Sequence, residues 1–218
     1  MINLQNILAN GLARFFSIGL NFFLAPILIT YLGYDAYGLI GFYAFVSAAA
    51  SLLEMGFPLA LNRATARFTG GEKTAQEMSS LIKVFEISFF LICVVIVLLG
   101  LVCGPLLSKN WLSTNNLDVL VVEKSVYLIF ILIGIRFPIG LYLAILAGLQ
   151  KQVKMNLFIM TFTLLRLGGA SLAIIFWKTD ILLFFQIQIC VSLIEYAGTR
   201  YSAWAANIDF SPKGKVKF

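Results

Sequence analysis

The sequence predicts an all-α integral membrane protein, a bundle of six transmembrane helices with both termini in the cytoplasm. Of its 218 residues, 61% are hydrophobic and only 12% are charged, whereas soluble domains are about half apolar and about a quarter charged. The apolar residues form runs of about 20, the length that crosses a bilayer core. A transmembrane barrel would instead show alternating segments of about 10 residues.

The runs divide the chain into a transmembrane lobe, residues 1–203, and a basic cytoplasmic tail, residues 204–218. The spans are predicted at about residues 6–32, 37–61, 79–101, 124–146, 156–177 and 181–203. Basic residues set the orientation, because cytoplasmic loops are enriched in Lys and Arg. The N-terminal side carries Arg63, Arg67, Lys73, Lys151, Lys154, Lys213, Lys215 and Lys217, against Lys109, Lys124 and Lys178 on the other.

The first span carries a polar face. Its polar residues recur at spacings of three and four, which places them on one side of a helix; they are Asn3, Asn6, Asn10, Arg14, Ser17 and Asn21. An arginine that faced lipid would be costly, so Arg14 should face other helices or a wet cavity. We therefore expect this span to form one wall of a polar cavity.

Depth along the helices predicts a partner for Arg14. Arg14 lies 21 residues before Asp35 in the first turn, and Glu54 lies 19 residues after it. At 1.5 Å per residue both are about 30 Å from that turn, which predicts an Arg14–Glu54 ion pair across the hairpin. Such a pair could serve transport or only fix the register of the hairpin.

Two further arginines fall near the middle of the membrane. Arg136 and Arg166 lie about 12 and 10 residues from the cytoplasmic ends of their spans, or roughly 15–18 Å deep. With Glu54 as the single acid at that level, three arginines leave a balance of about +2, which favours contact with water or an anion. Guanidinium groups suit bidentate phosphate binding. The alternative is snorkelling or bonding to the carbonyls of broken helices.

Other polar residues receive local interpretations. Lys83 and Glu86 are interpreted as a solvated pair on one helix, and Glu195 and Arg200 as interfacial residues. Span six also carries a polar stripe, which favours a shared polar cavity or small-residue helix packing; it comprises Gln188, Ser192, Glu195, Thr199 and Ser202. Prolines at 26, 58 and 138 fall inside predicted spans and favour bends there.

Enzymatic chemistry is disfavoured by composition. The chain has no histidine, which excludes His-based acid–base catalysis, Ser–His and Cys–His nucleophiles, and zinc sites that need imidazole. Its three cysteines lie in apolar runs and are predicted to be buried, reduced thiols. We predict no catalytic residue, no metal and no cofactor. The net charge of +6 sits between apolar runs, so no nucleic-acid partner is expected.

Several short segments resemble one family of transporters. The segments are residues 31–42, Leu53-Glu54-Met55-Gly56-Phe57, Asn62-Arg63, Ala66-Arg67-Phe68, Arg136-Phe137-Pro138, Gly148-Leu149-Gln150 and Leu165-Arg166. They resemble the O-antigen flippases of the polysaccharide-transport branch of the multidrug/oligosaccharidyl-lipid/polysaccharide exporter superfamily. The resemblance covers essentially the whole chain, which looks like the N-terminal six-helix lobe of such a protein.

The resemblance implies transport of undecaprenyl-diphosphate-linked oligosaccharide, the O-antigen repeat unit, across the bacterial inner membrane. Such proteins have two six-helix lobes around a cationic cavity, so a C-terminal lobe or a second copy is an expected partner beside membrane lipid. The implied substrate-binding residues are Arg14, Asn21, Arg136 and Arg166, with Arg63 and Arg67 at the cytoplasmic mouth. Glu54 and Glu195 are the implied ion-pair or coupling residues.

Three alternatives stay open. The chain could be half of a multidrug exporter of the same superfamily, although such exporters favour acidic cavities for cationic drugs and this sequence has an arginine excess. It could be a membrane enzyme of the polysaccharide pathway, although the missing histidine disfavours an acyltransferase and the short external loops disfavour a polymerase. It could also be a helical bundle with no transport role.

Overall fold

The computed structural model describes residues 4–54, 56–72, 74–110, 117–177 and 179–209, and these ranges are helical without any strand. Six stretches are long and apolar enough to cross a membrane, so the all-α prediction is confirmed for the described residues. The helices are α1 Leu4–Leu32, α2 Tyr34–Leu53, α3 Phe57–Thr69, α4 Ala75–Asn110, α5 Val119–Arg136, α6 Ile139–Gly148, α7 Gln152–Thr163, a π-helical turn Leu164–Gly168, α8 Gly169–Phe176 and α9 Ile181–Asp209.

The outer surface of the bundle is strongly apolar. Large hydrophobic side chains stand mostly exposed along α1, α4 and α8, among them Phe15, Phe22, Phe90 and Phe176. Soluble monomers rarely expose contiguous apolar patches of this kind. The surface therefore suits a lipid environment, as the six apolar stretches do.

Three of the predicted spans are interrupted. The second breaks between α2 and α3, where Gly56 has a φ of +99° and Pro58 lies in the first turn of α3. The fourth breaks between α5 and α6 at Pro138, and the fifth contains the π-helical turn. The bends expected at Pro58 and Pro138 are therefore present, whereas Pro26 lies within the continuous helix α1.

The segment after the second span is a helix rather than a loop. The second predicted span ends at about residue 61, but α3 continues to Thr69. The buried side chains Leu61, Thr65 and Phe68 follow a spacing of four and three, while Arg63 and Arg67 are exposed. An apolar stripe at that spacing stabilises an amphipathic helix against the bundle, which the high polarity of the segment concealed.

The last helix also exceeds its predicted bounds. Helix α9 runs to Asp209, so the first six residues assigned to the tail are helical. The basic residues Lys73, Lys178, Lys213, Lys215 and Lys217, and also Asn3, lie outside the described residues. The three cysteines are free, but Cys190 is exposed, because its side of α9 belongs to the apolar outer surface rather than to the core.

Helices α4 and α5 pack antiparallel at close range. A Cβ at Gly100 would lie 2.3 Å from Cβ of Phe130, and one at Gly104 would lie 2.4 Å from Cε1 of Tyr127. Glycines four residues apart form a flat strip that allows such an approach. Deeper along the same pair, the Cys93 thiol donates a hydrogen bond to the Gly134 carbonyl.

The span formed by α5 and α6 is the centre of the bundle. It is the most buried of the six candidate spans, and α2, α3, α4 and α9 all pack against it. Gly148 of α6 is placed so that a Cβ would meet the backbone oxygen of Asn62 on α3 at 2.7 Å. The break at Pro138 therefore lies in the middle of the protein and is surrounded by other helices.

Gly100→Ala should destabilise the protein by about 1–3 kcal/mol, the usual cost of overpacking, because Cβ of Phe130 belongs to the rigid base of its side chain. Thermal unfolding of the detergent-purified protein measures the effect. Gly41→Ala is the control, since nothing lies within 4 Å of its added methyl group and Ala is favoured over Gly inside a helix. Equal melting temperatures for the two variants would contradict the α4–α5 packing.

Candidate functional site

A pocket of about 290 Å³ lies where the three interrupted spans meet α9. Helices α2, α5, α6, α7 and α9, the π-helical turn and the breaks after α2 and α5 contribute its lining. About half of the lining residues carry a polar or charged side chain, namely Tyr43, Ser47, Ser51, Glu54, Arg136, Thr163, Arg166 and Glu195. We call this the charged pocket.

Each interruption carries a charged residue into the charged pocket. Glu54 lies between α2 and α3, Arg136 is the last residue of α5, and Arg166 is the middle residue of the π-helical turn. Irregular backbone at membrane depth is tolerated where protein buries it or where it lines a water-filled cavity, and π-helical turns occur frequently at functional sites. The convergence of three breaks with three charges marks this pocket as the candidate site.

Arg166 and Glu195 form a buried ion pair. Nη1 of Arg166 donates to Oε2 of Glu195, and the two residues are only 5% and 4% exposed. Glu195, which the sequence analysis interpreted as interfacial, is therefore enclosed by the bundle as one half of an ion pair. Glu195 lies 14 residues before the end of α9 at Asp209, about 21 Å along the helix at 1.5 Å per residue.

Arg136 contacts a neutral partner. Its Nη1 donates a hydrogen bond to the hydroxyl group of Tyr43 on α2, and Glu54 lines the same pocket. With all groups ionised, two arginines and two glutamates balance. The expected excess of about +2 is therefore absent from the charged pocket, because Arg14 lines a different pocket and Glu195 adds a second acid.

The predicted Arg14–Glu54 ion pair is not formed in the described part of the chain. Glu54 shares the charged pocket with Arg136, whereas Arg14 lies beside α7. Equal depth does not fix the direction in which a side chain points around its helix. The break after Leu53 turns Glu54 toward α5 and α6, and the polar face of α1 packs against α7 instead.

A second pocket, of about 430 Å³, lies between α1 and α7 and contains Arg14. Asn10 donates to Oε1 of Gln152 at 3.0 Å and accepts from Nδ2 of Asn156 at 2.6 Å, which fastens α1 to α7. Ile159 lines both pockets, so they are neighbours. We call this the asparagine pocket.

The polar face of α1 lines the asparagine pocket only in part. Asn10, Arg14 and Ser17 line it, but Asn21 is exposed and donates to the carbonyl of Ser17 on its own helix at 2.8 Å. The side chain of Asn6 is not among those described. Asn21 was expected at the substrate site, but the structure places it outside both pockets.

Arg63 and Arg67 lie on the exposed face of α3 and line neither pocket. Nε of Arg67 is 3.9 Å from Oε2 of Glu72, and both side chains are 68% exposed. Exposed pairs of this kind contribute about 0–1 kcal/mol. The guanidinium group of Arg67 can therefore exchange partners readily.

The polar stripe of α9 is buried, as a shared polar interior requires. Gln188, Ser192, Glu195, Thr199 and Ser202 are all buried. Three buried atoms along this side, Ser171 Oγ, Gln188 Nε2 and Ser192 Oγ, have no hydrogen-bond partner among the described residues. A buried polar group left unpaired costs about 1–3 kcal/mol. These atoms extend the polar interior beyond the charged pocket, between α8 and α9.

Tyr43 is a site residue that the sequence did not single out. Tyr43, Ser47 and Ser51 are spaced four apart on α2 and all line the charged pocket. The spacing connects Tyr43 to a stripe of smaller polar residues. An aromatic residue in an apolar helix is usually a core residue. The sequence alone therefore does not indicate that the Tyr43 hydroxyl group contacts Arg136.

The Arg166–Glu195 pair yields a double-mutant prediction. Arg166→Gln or Glu195→Gln alone leaves one buried charge unpaired and should cost about 3–5 kcal/mol. The double variant should recover most of that loss, because neither charge remains. Thermal unfolding in detergent measures all three variants, with Arg67→Gln as the exposed control that changes stability by less than about 1 kcal/mol. Additive losses in the double variant would contradict the pair.

Comparison with known proteins assigns neither a family nor a function to the chain. No protein-family model, curated protein or solved structure matches the chain. The similarity to O-antigen flippases therefore rests on the quoted sequence segments, and the site rests on its own geometry.

Proposed function

We propose that the chain is a six-helix lobe of a multi-pass transporter that flips undecaprenyl-diphosphate-linked oligosaccharide across the bacterial inner membrane. The observation that carries the proposal is the convergence of three helix breaks on a pocket that contains Arg136 and Arg166. Transporters bind substrates near the membrane midplane at such discontinuous helices. The similarity of the hairpin segments to O-antigen flippases supplies the class of substrate.

Arg136 is the residue best prepared to receive the diphosphate. Its described hydrogen bond is to a neutral hydroxyl group, so a phosphate oxygen could replace or join Tyr43 without breaking an ion pair. Arg166 is held by Glu195, and a phosphate must compete with that carboxylate. Protonation of Glu195 or Glu54 would shift the balance of the pocket toward positive charge, which gives these acids a coupling role.

The volumes of the two pockets decide which part of the substrate each pocket would bind. Binding sites for small molecules span about 300–1,000 Å³, so the charged pocket of about 290 Å³ fits a diphosphate but not a diphosphate with its glycan. The adjoining asparagine pocket of about 430 Å³ supplies amides and Arg14 for sugar hydroxyl groups. A C-terminal lobe or a second copy would enclose the remaining glycan, while the polyprenyl chain stays in lipid.

A half of a multidrug exporter is the second candidate, and one observation favours it. Glu54 and Glu195 both line the charged pocket, so the arginine excess that argued against cationic substrates is absent there. An organic cation would pair with Glu54, whereas a lipid diphosphate would pair with Arg136. The two functions therefore predict opposite effects of removing each charge.

Binding of undecaprenyl diphosphate to the purified chain tests the proposal, with undecaprenol as the uncharged comparison. Arg136→Gln should weaken diphosphate binding about 10- to 100-fold, since a hydrogen bond to a charged group contributes about 1.5–3 kcal/mol. Native mass spectrometry or intrinsic tryptophan fluorescence measures the dissociation constant. Lys124→Gln, an exposed lysine on α5, is the matched control and should leave binding unchanged.

The same series separates the two candidates. If Glu54→Gln abolishes binding of a quaternary ammonium dye while Arg136→Gln leaves undecaprenyl diphosphate binding intact, the exporter function replaces the flippase function. In cells, a flippase requires that Arg136→Gln lower the amount of surface polysaccharide at equal protein level. Unchanged polysaccharide in that strain would contradict the proposal.

A further inference from the structure

An apolar groove of about 440 Å³ lies between α4, α5, α6 and α9. None of its lining residues lines the charged pocket. Its floor consists of buried side chains, Phe89, Leu141 and Tyr142, and its rim of exposed ones, such as Phe90 and Leu98. The groove therefore opens sideways on the apolar outer surface of the bundle, where lipid would lie.

The groove has the length of one lipid acyl chain. It extends along α4 from Glu86 to Leu98, and those 12 residues span about 18 Å at 1.5 Å per residue. One leaflet contributes about 15 Å to a hydrocarbon core of about 30 Å. An acyl chain that lay along α4 would fill the groove from the interface to the bilayer centre.

Polar groups are concentrated at one end of the groove. Oε1 of Glu86 accepts hydrogen bonds from the Tyr142 hydroxyl group at 2.8 Å, from Nε of Arg200 at 3.0 Å and from Nε1 of Trp204 at 3.0 Å. Glu86 thus joins α4, α6 and α9, and the expected local Lys83–Glu86 pair is wrong. Tyrosine and tryptophan side chains favour the membrane–water interface, so this end lies at headgroup level.

The polar end carries an excess of positive charge. The side chain of Arg200 is half exposed, and its two Nη groups have no described hydrogen-bond partner. Lys83 lies one helical turn from Glu86 on α4, exposed and without an ion pair in the described ranges. Two basic groups against one acid leave a charge of +1, which attracts a lipid whose headgroup is anionic and repels the choline of a zwitterionic one.

We propose that this groove binds an anionic phospholipid, with one acyl chain along α4 and the phosphate on Arg200 and Lys83. Guanidinium groups bind phosphate oxygens bidentately, and the free Nη groups of Arg200 provide that fork. The site rests on the membrane insertion that the proposed function requires. It does not depend on flipping or on the charged pocket.

Quenching of Trp204 by brominated lipid tests the site. A variant with Trp111→Phe and Trp177→Phe retains Trp204 as its single tryptophan and is reconstituted in phosphatidylcholine vesicles. Either brominated phosphatidylglycerol or brominated phosphatidylcholine is then included at the same low mole fraction. We expect stronger quenching by the anionic lipid, with an enrichment of about fivefold for each basic residue that contacts it.

Two kinds of variant sharpen the measurement. Lys83→Ala and Arg200→Ala should each lower the preference for brominated phosphatidylglycerol, and Lys83→Ala does so without touching the bonds of Glu86. Val94→Phe fills the groove at its rim, keeps every charge and should also lower the preference. Lys124→Ala, an exposed lysine on α5 away from the groove, is the control and should preserve it.

The outcomes separate this inference from the proposed function. Equal quenching by the two brominated lipids, or a preference that survives both Lys83→Ala and Val94→Phe, overturns the lipid site and leaves the flippase proposal intact. No quenching by either lipid means that Trp204 is not at a bilayer, which overturns membrane insertion and the lipid site together. Preference for the anionic lipid that is lost in both variants supports the site.

Discussion

The cost of burying charge between apolar helices governs this structure. Arg166 and Glu195 are almost fully buried, and removing either one would leave the other as a costly unpaired charge. Their contact joins the π-helical turn of the fifth span to the middle of α9. Around that pair, the breaks at Glu54 and Arg136 bring two more charges to the same level. The bundle is therefore organised from its polar interior as much as from its apolar packing.

Helix breaks and charges occur together for a physical reason. An interrupted helix leaves backbone donors and acceptors unpaired, and these groups need polar neighbours just as the charged side chains do. Glu54, Arg136 and Arg166 lie at the three interruptions, so the irregular backbone and the charged side chains share one pocket. A lobe built in this way can change the charge of its pocket by protonation while its apolar outer surface stays the same, which suits a transporter that releases an anion on the other side.

Helices α5, α6 and α9 have two faces with separate roles in this view. One side borders the charged pocket, where substrate charge would be neutralised. The other forms the apolar groove, closed at one end by Glu86 and its three donors. An anionic lipid on that side would hold α4, α6 and α9 in place without contacting Arg136 and Arg166 of the charged pocket. The contact at Gly100 and Gly104 keeps α4 and α5 close together. The break at Pro138 follows α5 and lies at the centre of the bundle.

The sequence by itself determined the helical class, the six apolar stretches and the positions of Arg136 and Arg166 well inside two of them, because length and hydropathy fix where a residue lies along a span. Tertiary structure decided which charges meet. Arg14 and Glu54 have matching positions along their helices but point to different neighbours, and Glu195 faces the pocket because it pairs with Arg166. Glu86 likewise pairs with Arg200 on another helix and not with Lys83 on its own helix. Depth is a property of one helix, whereas direction around its axis is set by the helices that pack against it.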